Sequence, residues 1–473
     1  MSEPVVSRED IPLKNGKISK KWYACDDDYF SGSKYINVAF GTLTVIITFA
    51  LVIQIYYGDY QVVPHGSVAS DSLECSKVGT SILKQGGNAI DAAIGTAFCL
   101  SVATPHLTGL DAEGVILIYN HKTKNNPVVI DFSHATVASK NLPTLVMGLA
   151  YLHKNFGKLE WETLINPSVV LARKGVLVSK MLVQAITNSH AEDLFGRLEP
   201  GQFLIQKKLA TRLEHIANIS NPVLYSYLNQ INETMLTVSI EKSKFRNYNI
   251  YTPHVNSIGP FLTEALQIND KLNFTKEDIS KPDFIYHIAE IARHFYEKTS
   301  VNDVFHEGTI SNVGVMDIDD TYVSLVTGMY QFFGSGKKTL LGYVEDIKNK
   351  GTLSTRIPIL ITDSQYICGK RMVFGVNNIA TAIQIINSLI IGNENGTESI
   401  EAPRFHIGSN GTVGIEDYHL PSFNDEVLKY LEILTLKPYE VPEPYESSNI
   451  VEKLKDELSS HSDSRGGGIA SRF

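Results

Sequence analysis

The chain has 473 residues, 43% of them hydrophobic, and a formal charge of −9 at neutral pH. That is enough apolar material to bury one large core or two coupled ones, and it excludes a disordered chain. The acidic balance, with no stripe of clustered Lys and Arg, excludes nucleic acid as a partner, because phosphate binding needs cations gathered on one face.

Taken in chain order, the first element is the stretch Tyr35 to Gly58, which carries no charged residue. As a helix it is long enough to cross a hydrocarbon core of roughly 30 Å. A cleaved signal peptide or a buried core helix are the alternatives; the long polar stretch before it and the lack of a small-x-small site after it favour a membrane span. Arg8, Lys14, Lys17, Lys20, Lys21 and Lys34 precede the span, whereas the first Lys after it is Lys77. The bias predicts a cytosolic tail over residues 1–34, a signal-anchor over 35–58, and a single-pass type II protein of the plasma membrane or the secretory pathway. Tyr35, Tyr56 and Tyr57 suit the two membrane interfaces. N-x-S/T glycosylation acceptors at Asn218, Asn232, Asn273, Asn395 and Asn410 all lie beyond the span, as extracellular or luminal sites should. Cys75 and Cys99 flank an apolar helical pattern and could pair in an oxidising compartment, Cys368 reads as a lone buried thiol, and Cys25 falls on the reducing side.

Beyond the span, Asp71 to Leu100 reads as helix, glycine break and helix, with Gly86-Gly87 ending the first. Glu113–Asn120 and the later PVVIDFS read as paired strands joined by a turn near Lys122 to Asn126. A helical tract runs from about Leu142 to Leu228, punctuated by Pro167 and Gly175, and a second covers Pro282 to Thr299. From Gly314 the runs GVMDI, TYVSLVTG and ILITDSQYICG are strand-like until a helix over Ala380 to Ile391. The order suits an α+β, αββα layered sandwich.

Several stretches resemble the γ-glutamyltransferase (glutathione hydrolase) family, in the family's order. CSKVGTSILKQGGNAIDAAIGTAFC is similar to its N-terminal helix pair, and HKNFGKLEWETLINPSVVLARKGVLVSK to its G-x-LPW…P-x-x-LA-x-G segment, with Glu160 in place of proline. Glu401-Ala402-Pro403-Arg404-Phe405-His406 resembles its APRFH signature, and Ser462-Asp463-Ser464-Arg465-Gly466-Gly467-Gly468 its SDxRxGG ending. The resemblance covers most of residues 64–473 and implies an N-terminal-nucleophile hydrolase. Such a precursor cuts itself before a threonine, whose hydroxyl attacks a γ-glutamyl carbonyl with its own freed amine as base. It also implies a disulfide between Cys75 and Cys99, where animal members carry one, no cofactor, and a large-subunit-like part over 59–308 followed by a small-subunit-like part over 309–473.

Carried over residue by residue, the family's chemistry is incomplete. Gly308-Thr309 matches the cleavage site and makes Thr309 the candidate nucleophile, although a strand threonine beside a turn is the plainer alternative. Ser311 stands at the family's histidine, Gly328 at its second threonine, and Tyr330 at the asparagine that binds the substrate's amino end. Ser133 replaces the arginine that forks the α-carboxylate, and a serine cannot neutralise a carboxylate. Pro358-Ile359-Leu360-Ile361-Thr362 stands against the P-L-S-S-M that holds the same group. Asn377 and Asn378 fall at the oxyanion glycines, and Asp346 at the aspartate that binds the α-amine. Val304 to Gly308 is a far shorter lead to the cleavage site than the family has, and Thr108–Val115 departs from its glycine-rich loop.

Other constellations read as structural. His287 and His294 lack a third ligand at metal spacing, Asp317, Asp319 and Asp320 form a solvated hairpin turn rather than a calcium loop, and Lys338 spoils GSGKKT as a phosphate loop. No metal is expected. The expectation is a membrane-anchored, catalytically impaired family member acting as a binding or scaffold ectodomain. The alternative is an active peptidase or transferase on glutathione-like γ-glutamyl compounds with Thr309 as nucleophile.

Overall fold

The computed structural model describes residues 32–57, 64–133, 142–228, 237–300, 309–347, 353–408, 411–416, 423–433 and 439–473. The chain divides into two units, residues 1–62 and 63–473.

The first unit contributes α1 (Gly32–Tyr57). Its window Tyr35–Gln54, 20 residues long, is apolar enough to cross a membrane, and its side chains are exposed throughout. Thr42, Thr44 and Thr48 donate their hydroxyls to carbonyls about one turn back, at 2.7–3.0 Å. These three hydroxyls are thus satisfied within the helix itself.

In the second unit, β1 (Ser67–Ala69) leads into α2 (Leu73–Lys84) and α3 (Ala89–Ala103). Gly86, at φ +89°, makes the break between the helices. Asn88 caps α3 in a reciprocal box with Asp91, so the GGNA-x-D run is a helix stop followed by a helix start. Then come β2 (Glu113–Asn120), β3 (Val128–Asp131), α4 (Thr144–Phe156), α5 (Trp161–Lys174), β4 (Val176–Leu177), α6 (Lys180–Asn188), α7 (Glu192–Phe195), β5 (Phe203–Leu204), α8 (Lys207–Ala217) and α9 (Asn221–Leu228). Three strands follow, β6 (Thr237–Val238), β7 (Ile240–Phe245) and β8 (Tyr248–Pro253), before α10 (Gly259–Lys271) and α11 (Pro282–Ser300). The remainder holds β9 (Ser311–Met316), β10 (Thr321–Gly328), β11 (Ile357–Asp363), β12 (Arg371–Val376), α12 (Ile379–Ile390), α13 (Gly396–Glu401), β13 (Phe405–Ile407), β14 (Val413–Ile415), α14 (Asp425–Ile433), β15 (Tyr439–Glu440), β16 (Ile450–Leu454), β17 (Glu457–His461) and β18 (Ser471–Arg472).

Two sheets carry the unit: one of seven strands in the order β18-β1-β9-β10-β2-β3-β6, one of six in the order β17-β16-β12-β11-β8-β7. Between them lie Val115, Leu117, Val129, Met316 and Tyr322 from the first, and Leu360, Val373, Val451 and Leu458 from the second. Helices α2 to α5, with α6, α8 and α9, pack a second core onto the outer face of the first sheet, and α10 to α14 a third onto the other. This is the expected αββα sandwich of the N-terminal-nucleophile hydrolase type.

Three expectations need correction. Pro167 does not break the helical tract; it sits inside α5, which is held by Leu164, Ile165 and Val169 in the core. Cys368 is free and exposed, because it belongs to the hairpin turn between β11 and β12 rather than to a strand. Asp317 and Asp320, at the β9–β10 turn, are buried: Asp317 accepts the amides of Ala89, Asp319 and Thr321, and Asp320 pairs with Lys453 and Arg371. A turn packed onto neighbouring strands buries carboxylates it can satisfy.

Candidate functional site

The antiparallel registers bring several distant segments to one end of the sandwich. Thr327 stands opposite Ser311, and Gly328 opposite Glu113, so the starts of β9 and β2 meet the end of β10. In the other sheet Ile357 stands opposite Val376, so Arg356 and Asn377 adjoin where β11 begins and β12 ends.

Thr309 is buried just before β9. Its N–H donates to Met329 O at 2.9 Å; its Oγ1 donates to Leu107 O at 2.7 Å and takes the Met329 N–H at 3.2 Å. The hydroxyl proton is therefore committed to a backbone carbonyl. Across from it, a Cβ added at Gly328 would stand 1.7 Å from Thr309 O and 2.7 Å from Thr309 C. The position at which the resemblance expects a second threonine has no room for any side chain, because the Thr309 backbone occupies it.

Arg356 lies beside this contact. Its Nη1 meets Glu113 Oε2 at 3.1 Å, and its Nη2 donates to Gly328 O at 2.9 Å and Met329 O at 3.4 Å. Asp346 is buried close by, its Oδ1 accepting the amides of Tyr330 at 2.9 Å and Ile347 at 2.8 Å, while its own N–H donates to Asp111 Oδ2 at 3.2 Å. The expected amine-binding carboxylate is thus turned onto the backbone of Tyr330. Ser133 is half-buried after β3; its N–H donates to Asp131 Oδ1 at 2.8 Å and its Oγ reaches Gly114 O at 3.5 Å.

Asn377 and Asn378 occupy the β12–α12 junction. Asn378 caps α12 by accepting the Thr381 amide at 2.7 Å, and its Nδ2 donates to Asn377 Oδ1 at 3.1 Å and to Glu446 Oε2 at 2.7 Å. Burial pushes the Glu446 carboxyl up, against the opposing pull of His406 and Asn377. The two asparagines are engaged in capping and in holding this acid.

Ile359, Leu360 and Ile361 are wholly buried inside β11 and line the core, not the site. The hydroxyl pair nearest the site is Ser354-Thr355, buried immediately before Arg356; Ser354 Oγ has no hydrogen-bond partner among the described residues. A buried seven-residue strand cannot present a pair of side chains to a cleft, and Leu353-Ser354-Thr355 is the better match to L-S-S; both signals were available in the sequence. Arg356 itself carried none.

The APRFH and SDxRxGG runs meet in one buried polar network. Arg404 Nη2 pairs with Asp463 Oδ2 at 2.8 Å, Arg465 pairs with Glu416 at 2.5 Å and with Asp463 at 3.3 Å, and His406 Nε2 lies 2.6 Å from Glu416 Oε1. Asp71 stands next to it, taking hydrogen bonds from Ser311, Asn312, Ser447 and Asn449; burial drives its pKa up in spite of them. Gly466 and Gly468 pack against Asp71 and the Ser70 carbonyl so closely that a Cβ at Gly468 would stand 2.0 Å from Ser70 O.

Cys75 and Cys99 form a disulfide joining α2 to α3. Asn218, Asn273 and Asn395 are exposed, and Asn395 also caps α13. Asn232, Asn410 and the short lead from Val304 to Gly308 lie outside the described residues. Among the described residues no three His, Cys, Asp or Glu side chains gather as metal ligands. His287 packs on Phe274 and Tyr286, and His294 on Phe295.

The family described as Gamma-glutamyltranspeptidase matches residues 75–141 and 133–242. The protein named Glutathione hydrolase 7 from Homo sapiens is 22% identical over 520 aligned positions, covering 85% of this chain and 78% of its own length. Glutathione hydrolase 6 from Bos taurus is 33% identical over 169 positions, 34% of each chain. Among solved structures, cephalosporin acylase from Bacillus halodurans superposes with a TM-score of 0.68 at 18% identity, over 87% of this chain and 96% of that one.

Proposed function

Since the chain is a divergent member of the γ-glutamyltransferase family, we propose that it is a membrane-anchored binding or scaffold protein that keeps the family's fold without its hydrolytic chemistry. The observation that carries this reading is the contact of Gly328 with the Thr309 backbone, a 1.7 Å approach for any added Cβ. A second hydroxyl to poise the nucleophile has no space there, while the nucleophile's own hydroxyl is spent on Leu107 O. Ser133 in place of the carboxylate-binding arginine, and Asp346 engaged with Tyr330, add to it. A buried ion pair that loses one partner costs roughly 3–5 kcal/mol, enough to weaken γ-glutamyl binding by at least two decades.

In this proposal α1 is the signal-anchor of a type II topology, with residues 1–34 cytosolic and the sequons glycosylated outside. Glycosidase treatment should lower the apparent mass, and protease added to intact cells should spare the N-terminal tail.

The deciding assay uses the full-length protein in detergent with γ-glutamyl-p-nitroanilide and glutathione, beside Thr309→Ala. One band on a denaturing gel and no turnover above the variant is expected. The second reading, an active γ-glutamyl hydrolase or transferase, is favoured by Thr309 just before β9 and by the buried Ser354-Thr355 pair. Two bands, with turnover lost in Thr309→Ala, would establish it instead.

A further inference from the structure

Arg356 is buried beside the Thr309–Gly328 contact and paired with a carboxylate. Its side chain is 7% exposed and that of Glu113 18%, and they meet at 3.1 Å. Nη2 donates to Gly328 O and Met329 O, and Met329 O also accepts the Thr309 N–H, so one carbonyl separates the guanidinium from the threonine. The remaining donor, Nε, is buried with no acceptor among the described residues. A guanidinium is a planar fork suited to two parallel hydrogen bonds from one carboxylate. Here Glu113 meets the Nη1 donor, Nη2 is spent on backbone, and the Nε donor is unused.

The location of Glu113 sharpens the point. It opens β2 directly opposite Gly328, and its neighbour Gly114 offers the carbonyl that Ser133 Oγ approaches. The carboxylate thus stands beside the position whose arginine the resemblance expects and the chain lacks. A positive charge is present at residue 356, and the chain supplies the negative charge itself.

We propose that Arg356 centres a carboxylate-binding site that the chain fills with its own Glu113, and that removing this side chain opens the site to small carboxylates such as acetate or the α-carboxylate of glutamate. The proposal deepens the reading of a silenced site, on which it rests, by naming what occupies it. Glu113 acts as an internal ligand: covalently attached, it has a high effective concentration at Arg356 and outcompetes free carboxylates. Displacing it would leave a charge in a partly buried place, which disfavours exchange.

The test uses full-length protein in detergent, as wild type, Glu113→Ala, Glu113→Ser, and each variant combined with Arg356→Met. Thermal unfolding is followed while sodium acetate or L-glutamate is titrated against sodium chloride of equal ionic strength. Glu113→Ala and Glu113→Ser should melt below wild type and rise saturably with either carboxylate, with apparent affinity at least tenfold tighter than wild type. The Arg356→Met combinations should not respond. If the single variants fold only poorly, acetate or glutamate added during refolding should restore folded protein, and failure to do so overturns the proposal. Equal carboxylate binding by wild type, or folded single variants with no response, overturns it too. Those results leave the reading of Thr309 standing, since turnover is measured separately.

Discussion

Replacing Gly328 by the threonine that the family resemblance expects is the sharpest perturbation available. The Cβ alone would stand 1.7 Å from Thr309 O and 3.2 Å from Ile310 Cα, all backbone atoms that cannot rotate away. Bringing the closest contact to about 3.0 Å requires a shift of about 1.3 Å between the end of β10 and the residues leading into β9. That displacement breaks the hydrogen bonds between Thr309 N and Met329 O and between Met329 N and Thr309 Oγ1. Two hydrogen bonds at about 1 kcal/mol each, together with an overpacking cost of about 1–3 kcal/mol, give roughly 4 kcal/mol. In a unit of this size each kcal/mol moves the melting midpoint by about 1–2 °C, so Gly328→Thr should melt about 4–8 °C below wild type. Gly328→Ala should show most of the same loss, because the first carbon makes the clash. Thermal unfolding followed by circular dichroism, with γ-glutamyl-p-nitroanilide turnover in parallel, checks both halves. Midpoints within 1 °C of wild type for both variants would refute the close approach, and a threonine variant that gained turnover would refute the proposal of a closed site.

Four further outcomes are expected. Arg404→Ala removes the cation from a pair that is 1% and 0% exposed, and should destabilise the fold by roughly 3–5 kcal/mol in denaturant unfolding, with Arg404→Lys recovering only part. Cys75→Ser with Cys99→Ser opens a loop of 24 residues' separation and should cost about 3.5 kcal/mol on chain-entropy grounds, read as a lowered midpoint that reductant does not lower further. Burial holds His106 down at about 3, so the unfolded chain takes up a proton below about 6.5 that the fold refuses; stability should fall as pH drops from 6.5 toward 3, and His106→Leu should flatten that slope. Burial alone would raise Glu401, but hydrogen bonds from His461 and Ser464 prevail and hold it at about 2, so its contribution is present above about pH 4.5 and is lost as pH falls through 2. The stability gap between wild type and Glu401→Gln should therefore be widest near pH 6 and narrow steadily on acidification.

Much of the fold was legible because its signals are local. The GGNA-x-D run states a helix stop, a cap and a helix start within six residues, and α2 and α3 fall where it puts them. The β9–β10 hairpin and the buried run of β11 follow from apolar stretches bounded by turns. The hairpin of β7 and β8 was not legible: IEKSKF is half charged, and as a sheet edge it needs only alternate positions buried. Pro167 misled because propensity is local, whereas the apolar face of α5 packs on the core on both sides of the ring. The site was the least legible part. Thr309 and the missing hydroxyl at Gly328 could be named from aligned positions, but the meeting of Arg356 with Glu113 joins two sheets across 243 residues, and nothing short-range in the sequence marks it.

The APRFH-like and SDxRxGG-like runs of the resemblance are bound up in the interior of the fold. Arg404, His406, Asp463 and Arg465 bind one another and Glu416 in the interior, and the glycines at 466 and 468 exist to let the chain pass Asp71 and Ser70. Removing any of these groups strands a buried charge or forces a backbone clash, so the fold depends on them whether or not a substrate ever binds. The substrate-facing positions obey no such constraint: Ser133 satisfies itself on Asp131 and Gly114, and Gly328 accommodates the Thr309 backbone. Although Ser354 Oγ and Arg356 Nε stay without partners among the described residues, the Thr309 hydroxyl has a donor and an acceptor, the second threonine's place is occupied by backbone, and the Arg356 guanidinium has an internal carboxylate. Losses that are refilled in this way are hard to reverse one residue at a time. Restoring Ser133→Arg alone should therefore yield no measurable turnover, because the new cation would face Glu113 before it met a substrate, and an activity gain in that single variant would show that Glu113 does not stand in its way.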